Sequence, residues 1–130
     1  MDKASFKTSK IIQNVDPRIV RTIVSFSDSL KNIQIWNAEG EKGKHFITHE
    51  ERGRLSILAV AKEGNNIESF SYAPGRCASW DYFKNTLPWK EYAQKVGEKA
   101  VALLSAKECP QGKFDVVVAN GWGGVVFHEA

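Results

Sequence analysis

His128 and Glu129 are the neighbouring side chains of this sequence with the clearest capacity for chemistry. A His-Glu pair on a helix is the first half of a zinc-hydrolase signature, in which a second histidine follows about one turn later. In such a site the metal lowers the pKa of a bound water to about 7, and the carboxylate accepts the proton that the water releases. The 130 residues end at Ala130, before that second histidine. Taken alone, the pair is therefore weak evidence for a metal site, and an ordinary polar helix start is the simpler explanation.

The residues before this pair would determine where it lies. Residues 115–119 hold three consecutive valines between turn-forming residues, which predicts a short buried strand, the fifth of the chain. The stretch after them is rich in glycine, and we expect Trp122, Gly123 and Gly124 to lie beside a substrate cleft. The apolar residues 125–127 would then lead into a helix that carries the His-Glu pair.

Composition and charge exclude several classes of partner. With 18 basic and 15 acidic residues the net charge is only +3, and no basic tail is present, so we expect no nucleic-acid partner. No apolar run approaches the roughly 20 residues that cross a bilayer, so we expect no membrane partner. Neither Cys77 nor Cys109 belongs to a metal-ligand spacing, and the N-terminal residues lack the apolar segment of a secretion signal. A cytoplasmic location is the resulting expectation.

Alternating apolar and polar residues predict four strands in the first part of the chain. In the first of them Val20, Thr22 and Val24 fall on one face, and Arg21 falls on the other. The predicted strands cover residues 19–27, 33–38, 54–61 and 67–73, and 54–61 is the apolar half of a longer stretch over 45–62. The connections are predicted at 27–32, 39–43 and 63–66. Short connections require antiparallel neighbours, because parallel pairing needs a long crossover. The sequence therefore predicts a four-stranded antiparallel meander.

A long amphipathic helix over residues 88–106 is predicted to follow the meander. Its apolar residues recur at three- and four-residue steps from Trp89 to Leu104, and Pro88 occupies the first turn, where a helix tolerates proline. We expect this helix to cover the apolar face of the sheet. Residues 1–14 are polar with scattered apolar side chains and are typical of either a tail or a short helix.

Other residues that could carry chemistry also have ordinary structural explanations. His45 and His49 are four residues apart, but the residues between them predict strand or loop, which favours two surface histidines. Trp36, Trp80 and Trp89 could stack on single-stranded nucleic acid, yet no basic residues interleave with them, which favours core or interface positions. The glycine-rich turn before the His-Glu pair lacks the known phosphate-binding motifs.

The C-terminal residues resemble the TldD branch of the TldD/PmbA family, proteins formerly called modulators of DNA gyrase and now regarded as zinc metallopeptidases. The family has an apolar strand, a G-W-x-G segment, two or three apolar residues and then H-E-A. These features stand here at residues 115–119, 121–124, 125–127 and 128–130. The likeness continues upstream in the segments 16–19, 25–28, 35–40 and 54–57, so it covers roughly residues 15–130.

This resemblance implies roles for individual residues. His128 is similar to the family's first zinc ligand, and Glu129 is similar to its general base. The family's other ligands, a second histidine and a distant cysteine, have no counterpart in the 130 residues, because Cys77 and Cys109 both precede the motif. Zinc needs at least three protein ligands, so we expect zinc in the full-length parent but no tightly bound zinc and no hydrolysis in this chain.

Together these observations predict an α+β fold with a domain over residues 1–112 and the beginning of a second, metallopeptidase domain over 113–130. The resemblance implies a fragment of a TldD-like zinc-dependent peptidase with peptide substrates, a role in peptide maturation and a partner subunit of the same family. The alternative is a non-catalytic module that binds a partner or a peptide by its sheet edge. The apolar residues 116–118 and 125–127 also make self-association a reasonable hypothesis.

Overall fold

The structure is a computed structural model that describes residues 3–38, 44–121 and 123–129. An antiparallel sheet in the order β1-β2-β3, with β4 also paired to β2, has helices packed on one face, which confirms the predicted α+β fold. In chain order the elements are α1 (Lys3–Gln13), β1 (Ile19–Asn37), β2 (Lys44–Glu63), β3 (Asn66–Tyr72), β4 (Gly75–Arg76), α2 (Trp80–Asn85), α3 (Trp89–Leu103) and α4 (Gly123–Glu129).

The first two predicted strands are one continuous strand, so the predicted loop at 27–32 is wrong. β1 is 19 residues long and pairs with β2 without interruption from Arg21 opposite Val60 to Asn37 opposite Lys44. The serine, aspartate and asparagine residues that indicated a loop favour turns only when their backbone lacks other partners. Here the ladder with β2 supplies those partners throughout. The predicted turn at 39–43 lies outside the described residues.

The sheet beyond β1 agrees with the prediction. β2 is the central strand, as predicted for 54–61, and its 20 residues cover the whole of the longer stretch 45–62. A tight turn joins it to β3, and Gly64 has a φ of +58° in that turn, a left-handed conformation that glycine adopts without steric cost. From there β3 runs antiparallel to β2, from Asn66 opposite Glu63 to Tyr72 opposite Ile57.

The predicted fifth strand at 115–119 is not formed. Residues 113–119 have no regular secondary structure, and Val116, Val117 and Val118 are 74%, 99% and 53% exposed. A strand is stabilised by backbone hydrogen bonds to a neighbouring strand and by burial of at least one face. Within the described residues no strand pairs with this segment. Its valines are typical of a strand, but a strand does not form there because no neighbouring strand supplies the backbone hydrogen bonds.

The core lies between the helix-facing side of β2 and the helices α1 and α3. Ile57, Ala59 and Ala61 alternate along β2 toward the helices and are buried. They form one cluster with buried residues of α1 and α3, namely Ile12, Ala93, Val96, Ala100 and Leu104. Complete burial of a side chain such as Ile57 or Val96 stabilises the fold by roughly 1.5–3 kcal/mol. α3 therefore covers the sheet as predicted, and it begins one residue later and ends three residues earlier than the predicted helix.

The sequence predicted either a tail or a short helix for residues 1–14, and the structure has helix α1 there. Its inner side buries Thr8 and Ile12, and Ser9 Oγ hydrogen-bonds to Thr22 Oγ1 of β1. The end of α3 is held by Asn66, whose Nδ2 donates to the Leu104 carbonyl oxygen over 2.9 Å. That bond satisfies one of the carbonyl groups that a helix end leaves without an intrahelical partner.

The turn between α1 and β1 is held by Asp16 and Arg18. Asp16 Oδ1 accepts hydrogen bonds from the Arg18 backbone N–H at 2.8 Å and from Arg18 Nε at 2.9 Å, and its Oδ2 lies 2.9 Å from Arg18 Nη2. Arg18 Nη1 reaches Glu63 Oε1 at the end of β2 over 3.2 Å. The hydrogen bonds from Arg18 lower the pKa of Asp16 from 3.8 to about 2, because they favour the ionised carboxylate.

Gly53 allows α2 to approach the sheet closely. A Cβ added to Gly53 would lie 2.3 Å from Phe83 Cε2, so the Phe83 ring rests directly on the glycine backbone. Phe83 is only 3% exposed, and its ring lies 5.2 Å from that of Phe26, which in turn lies 4.2 Å from the Trp80 ring. This aromatic group attaches α2 to the sheet.

We predict that Gly53→Ala destabilises the protein by about 1–3 kcal/mol, because the new methyl group displaces the Phe83 ring. Phe83→Leu removes the ring edge, so adding Gly53→Ala to that variant should cost clearly less than it does in the natural chain. Urea denaturation of the two single variants and the double variant measures this coupling. Equal cost of Gly53→Ala in both backgrounds would contradict the described contact.

We also predict that Asp16 contributes stability that is lost in acid. Its folded pKa is depressed, so the contribution is present above about pH 4 and disappears as the pH falls through the folded pKa of about 2. The difference in free energy of unfolding between the natural chain and Asp16→Asn should therefore be constant near neutral pH and shrink toward pH 2. Arg18→Gln, which removes the partner, should abolish this pH dependence. Urea titrations at several pH values measure it, and a difference that persists unchanged to pH 2 would refute the assignment.

Candidate functional site

The His-Glu pair lies on a short helix that begins after a glycine turn. Gly121 has a φ of +92°, and its carbonyl oxygen accepts a hydrogen bond from the Gly124 N–H over 3.3 Å. A Cβ at Gly123 would lie 2.5 Å from Val118 Cγ1, so glycine allows the helix to begin against that valine. A helix that carries the pair is present as α4, but it begins at Gly123, so residues 125–127 lie within the helix instead of leading into it as predicted. The glycines allow the chain to turn into the helix before these apolar residues.

His128 and Glu129 lie at the C-terminal end of α4, and both are exposed. Gly123 is half-buried, Gly124 is exposed, and Trp122, predicted beside a substrate cleft, lies outside the described residues. The structure thus places the pair in the last described turn of a helix, and a helical position for both residues is one part of the metal signature. The roles of these residues as metal ligand, base and cleft residues stay predictions.

The residues of this chain do not by themselves fit a zinc ion. Within residues 3–38, 44–121 and 123–129, no three histidine, cysteine, aspartate or glutamate side chains come together in a way that could hold a metal. Zinc sites use three or four protein ligands, whereas α4 offers one imidazole. Any metal held by His128 would need further ligands from outside these residues.

The two other histidines occupy a projecting part of the sheet. We call residues 28–37 of β1 and 44–53 of β2 the ribbon, because in the described chain only these two strands pair there, apart from β4 at its base. The His45 ring stacks on Trp36 with 3.6 Å between centroids, and His49 Nδ1 donates to Asn32 Oδ1. Residues four apart on a strand are about 13 Å apart, so a shared metal is excluded for this pair, as the sequence indicated.

The ribbon exposes apolar side chains on both faces. One face of the ribbon continues the sheet face that packs against the helices, and it carries Leu30, Trp36 and Ile47. The opposite face carries Ile35 and Phe46. All five are more than half exposed. At about 3.3 Å per residue the ribbon is roughly 30 Å long. Such an extended pair of strands buries little of its apolar surface within this chain.

A cleft that the sequence did not predict lies on the helix-facing side of the sheet and measures about 380 Å³. Two of its tryptophans, Trp80 and Trp89, were candidate interface residues by type, but only the tertiary fold brings them together. Its lining comes from α1, the sheet, α2 and the start of α3: Ser5, Lys7, Thr8, Val24, Phe26, Leu55, Trp80, Phe83, Lys84 and Trp89. We refer to this feature as the aromatic cleft.

Comparison with known proteins places most of the chain in one family. Residues 1–104 match the family model described as the PmbA/TldA metallopeptidase central domain. That range contains the sheet, α1, α2 and α3 and stops before α4. The predicted domain boundary between residues 112 and 113 is tested by none of these comparisons and stays a prediction.

Curated relatives and a solved structure agree with this match. A metalloprotease of Methanothermobacter thermautotrophicus is 32% identical over 86% of this chain, and a TldD metalloprotease homologue of Buchnera aphidicola subsp. Schizaphis graminum is 26% identical over 96% of it. A Thermotoga maritima crystal structure, described as a candidate modulator of a DNA gyrase, shares the fold over 86% of this chain, with a TM-score of 0.61 and 20% identity. The chain spans 24% and 26% of the length of the two relatives and 25% of that structure.

None of the helices in the described part of the chain is both long and apolar enough to cross a membrane.

Proposed function

Because this chain belongs to the PmbA/TldA metallopeptidase family, we propose that it is the central-domain part of a zinc-dependent peptidase together with the first half of the metal motif. The observation that carries the proposal is the helical setting of His128 and Glu129, in α4 and downstream of the family domain. His128 would be one metal ligand, and Glu129 would be the carboxylate beside the metal. Peptides would be the substrates, in keeping with the family description.

We propose further that this chain alone does not hydrolyse peptides. Its one imidazole on α4 does not complete a zinc site, and the chain spans only about a quarter of the length of the related metalloproteases. The missing ligands would come from other parts of a longer protein. The cytoplasmic location and the role in peptide maturation stay predictions.

The test uses a longer protein that contains these residues. We expect His128→Ala to lower both its zinc content and its peptidase activity, because one ligand is lost. Glu129→Gln should keep the zinc and lose activity by about 10²–10⁴-fold, the range typical of a general base. Glu108→Gln, which changes an exposed carboxylate outside α4 and outside the ribbon, is the control and should change neither. Zinc content by mass spectrometry and peptide hydrolysis are the two measurements.

A second measurement uses the isolated 130-residue chain. In equilibrium dialysis it should not bind zinc one-to-one at micromolar concentration, because two or more ligands are missing. Tight binding by the isolated chain, or full zinc content and activity in the His128→Ala protein, would contradict the proposed site.

A second function, partner binding, is favoured by the ribbon. An isolated pair of strands is at best marginally stable in water, and open strand edges with exposed apolar residues tend to pair with other chains. The ribbon has both features, since Trp36 is 73% exposed and Phe46 is 53% exposed. We propose that the ribbon binds a second subunit of the same family, and that in the isolated chain it binds another copy of itself.

We predict that the isolated chain self-associates, with a mass that rises above 14.5 kDa as concentration increases. Trp36→Glu and Phe46→Glu should each weaken this association at least severalfold, because a buried unpaired charge is costly in an interface. Ser69→Glu, an exposed position on β3 outside the ribbon, is the control and should leave it unchanged. Sedimentation velocity measures the masses, and a concentration-independent monomer would contradict the proposal.

A further inference from the structure

The aromatic cleft has a preformed apolar interior. Val24, Phe26 and Leu55 of the sheet form its floor, and Trp80 and Phe83 of α2 form one wall. The Phe26 ring packs edge-on against both aromatic residues of that wall, with centroids 4.2 Å from Trp80 and 5.2 Å from Phe83. Its volume of about 380 Å³ lies within the range of small-ligand pockets. A ligand with an apolar body would therefore bury surface there without first rearranging the core.

The lining of the cleft includes two positively charged side chains. Lys7 belongs to α1 and Lys84 to α2, so two different helices each contribute a lysine to the lining. Neither lysine forms an ion pair with a carboxylate of the described residues, and no carboxylate is among the described residues that line the cleft. A third ammonium group, that of Lys90, lies 5.5 Å from the centre of the ring of Trp89, which is one of the lining residues. The positive charge of these lysines favours a ligand with an anionic group.

Polar groups inside the cleft are few. The lining includes the hydroxyl group of Ser5, which is half-buried on α1 and can donate or accept a hydrogen bond. A ligand with one anionic group, one or two amide groups and an apolar side chain matches this lining. A free peptide C-terminus has this chemistry, and the cleft opens to solvent, so the rest of a peptide can leave it.

We propose that the aromatic cleft binds apolar carboxylates, and that its occupant is the C-terminal residue of an apolar peptide. The side chain lies among Phe26, Trp80 and Trp89, and the carboxylate lies toward Lys7 and Lys84. Carboxylate recognition rests on the cleft alone. The choice of a peptide as the source of that carboxylate rests on the proposed peptidase function, so the two parts need separate tests.

The test is a fluorescence titration of the 130-residue chain, because two of its tryptophans line the cleft. The probes are N-acetyl-leucyl-phenylalanine, its C-terminal amide and 3-phenylpropionate. The peptide acid should change the tryptophan emission saturably, and the amide should bind about tenfold more weakly because it lacks the charge. Raising the salt concentration should weaken binding of the acid, since exposed ammonium groups are screened.

Matched lysine variants localise the effect. Lys7→Gln and Lys84→Gln should each weaken binding of the peptide acid by about two- to fivefold, as expected for exposed ion pairs, and the double variant should approach the affinity of the amide. Lys95→Gln, an exposed lysine of α3 that does not line the cleft, should have no effect. Circular dichroism verifies that each variant keeps its fold.

Equal affinity for acid and amide, or full affinity in the Lys7→Gln and Lys84→Gln double variant, would overturn carboxylate recognition. Binding of 3-phenylpropionate as tight as that of the peptide acid would overturn the peptide as occupant and leave carboxylate recognition standing. Neither result depends on zinc or on hydrolysis. Failure of this proposal is therefore distinguishable from failure of the proposed peptidase function.

Discussion

The contact between α3 and the middle of β2 is the constraint on which the fold depends. Both surfaces carry small side chains, with Ala59 and Ala61 on the strand and Ala93 and Ala100 on the helix, all completely buried. Small residues let the helix axis approach the sheet, and larger residues such as Val96 fill the space beside them. Gly97 extends the same principle, because an added Cβ would lie 2.9 Å from a methyl group of Val15. The helix therefore also holds the turn that leads into β1.

The limits of this core determine which parts of the chain are exposed. α1 and α3 cover only the half of the sheet that contains Ile57 and its neighbours, so the other half of the first hairpin projects as the ribbon. At the boundary, α2 rests on Gly53 through Phe83, and the space between α2 and α1 becomes the aromatic cleft. The chain after α3 leaves the core, which is why the residues leading to α4 are exposed. Stable scaffold and candidate binding surfaces thus occupy different parts of one short chain.

Local sequence patterns were sufficient to predict the elements whose conformation depends mainly on neighbouring residues. The periodicity of α3 and the Gly-Asn turn before β3 predicted the structure closely, because amphipathic helices and tight turns are determined by neighbouring residues. The predicted loop at 27–32 failed because its turn-forming side chains are overruled by pairing with residues 49–54, which are distant in sequence. The predicted strand at 115–119 failed for the opposite reason, since an apolar run does not form a strand without a neighbour. The His-Glu motif and its helix were recognisable, whereas the aromatic cleft depends on tertiary contacts that no local pattern contains.

The central claim is that His128 is one ligand of the family's metal and that the other ligands come from the rest of a longer protein. A crystal structure of that longer protein loaded with zinc, with anomalous diffraction measured at the zinc edge, tests it most directly. The account predicts an anomalous peak about 2.0–2.1 Å from a ring nitrogen of His128, with Glu129 close by but outside the coordination sphere. A zinc peak with a complete ligand set that excludes His128, or one coordinated by Glu129 in its place, would contradict it.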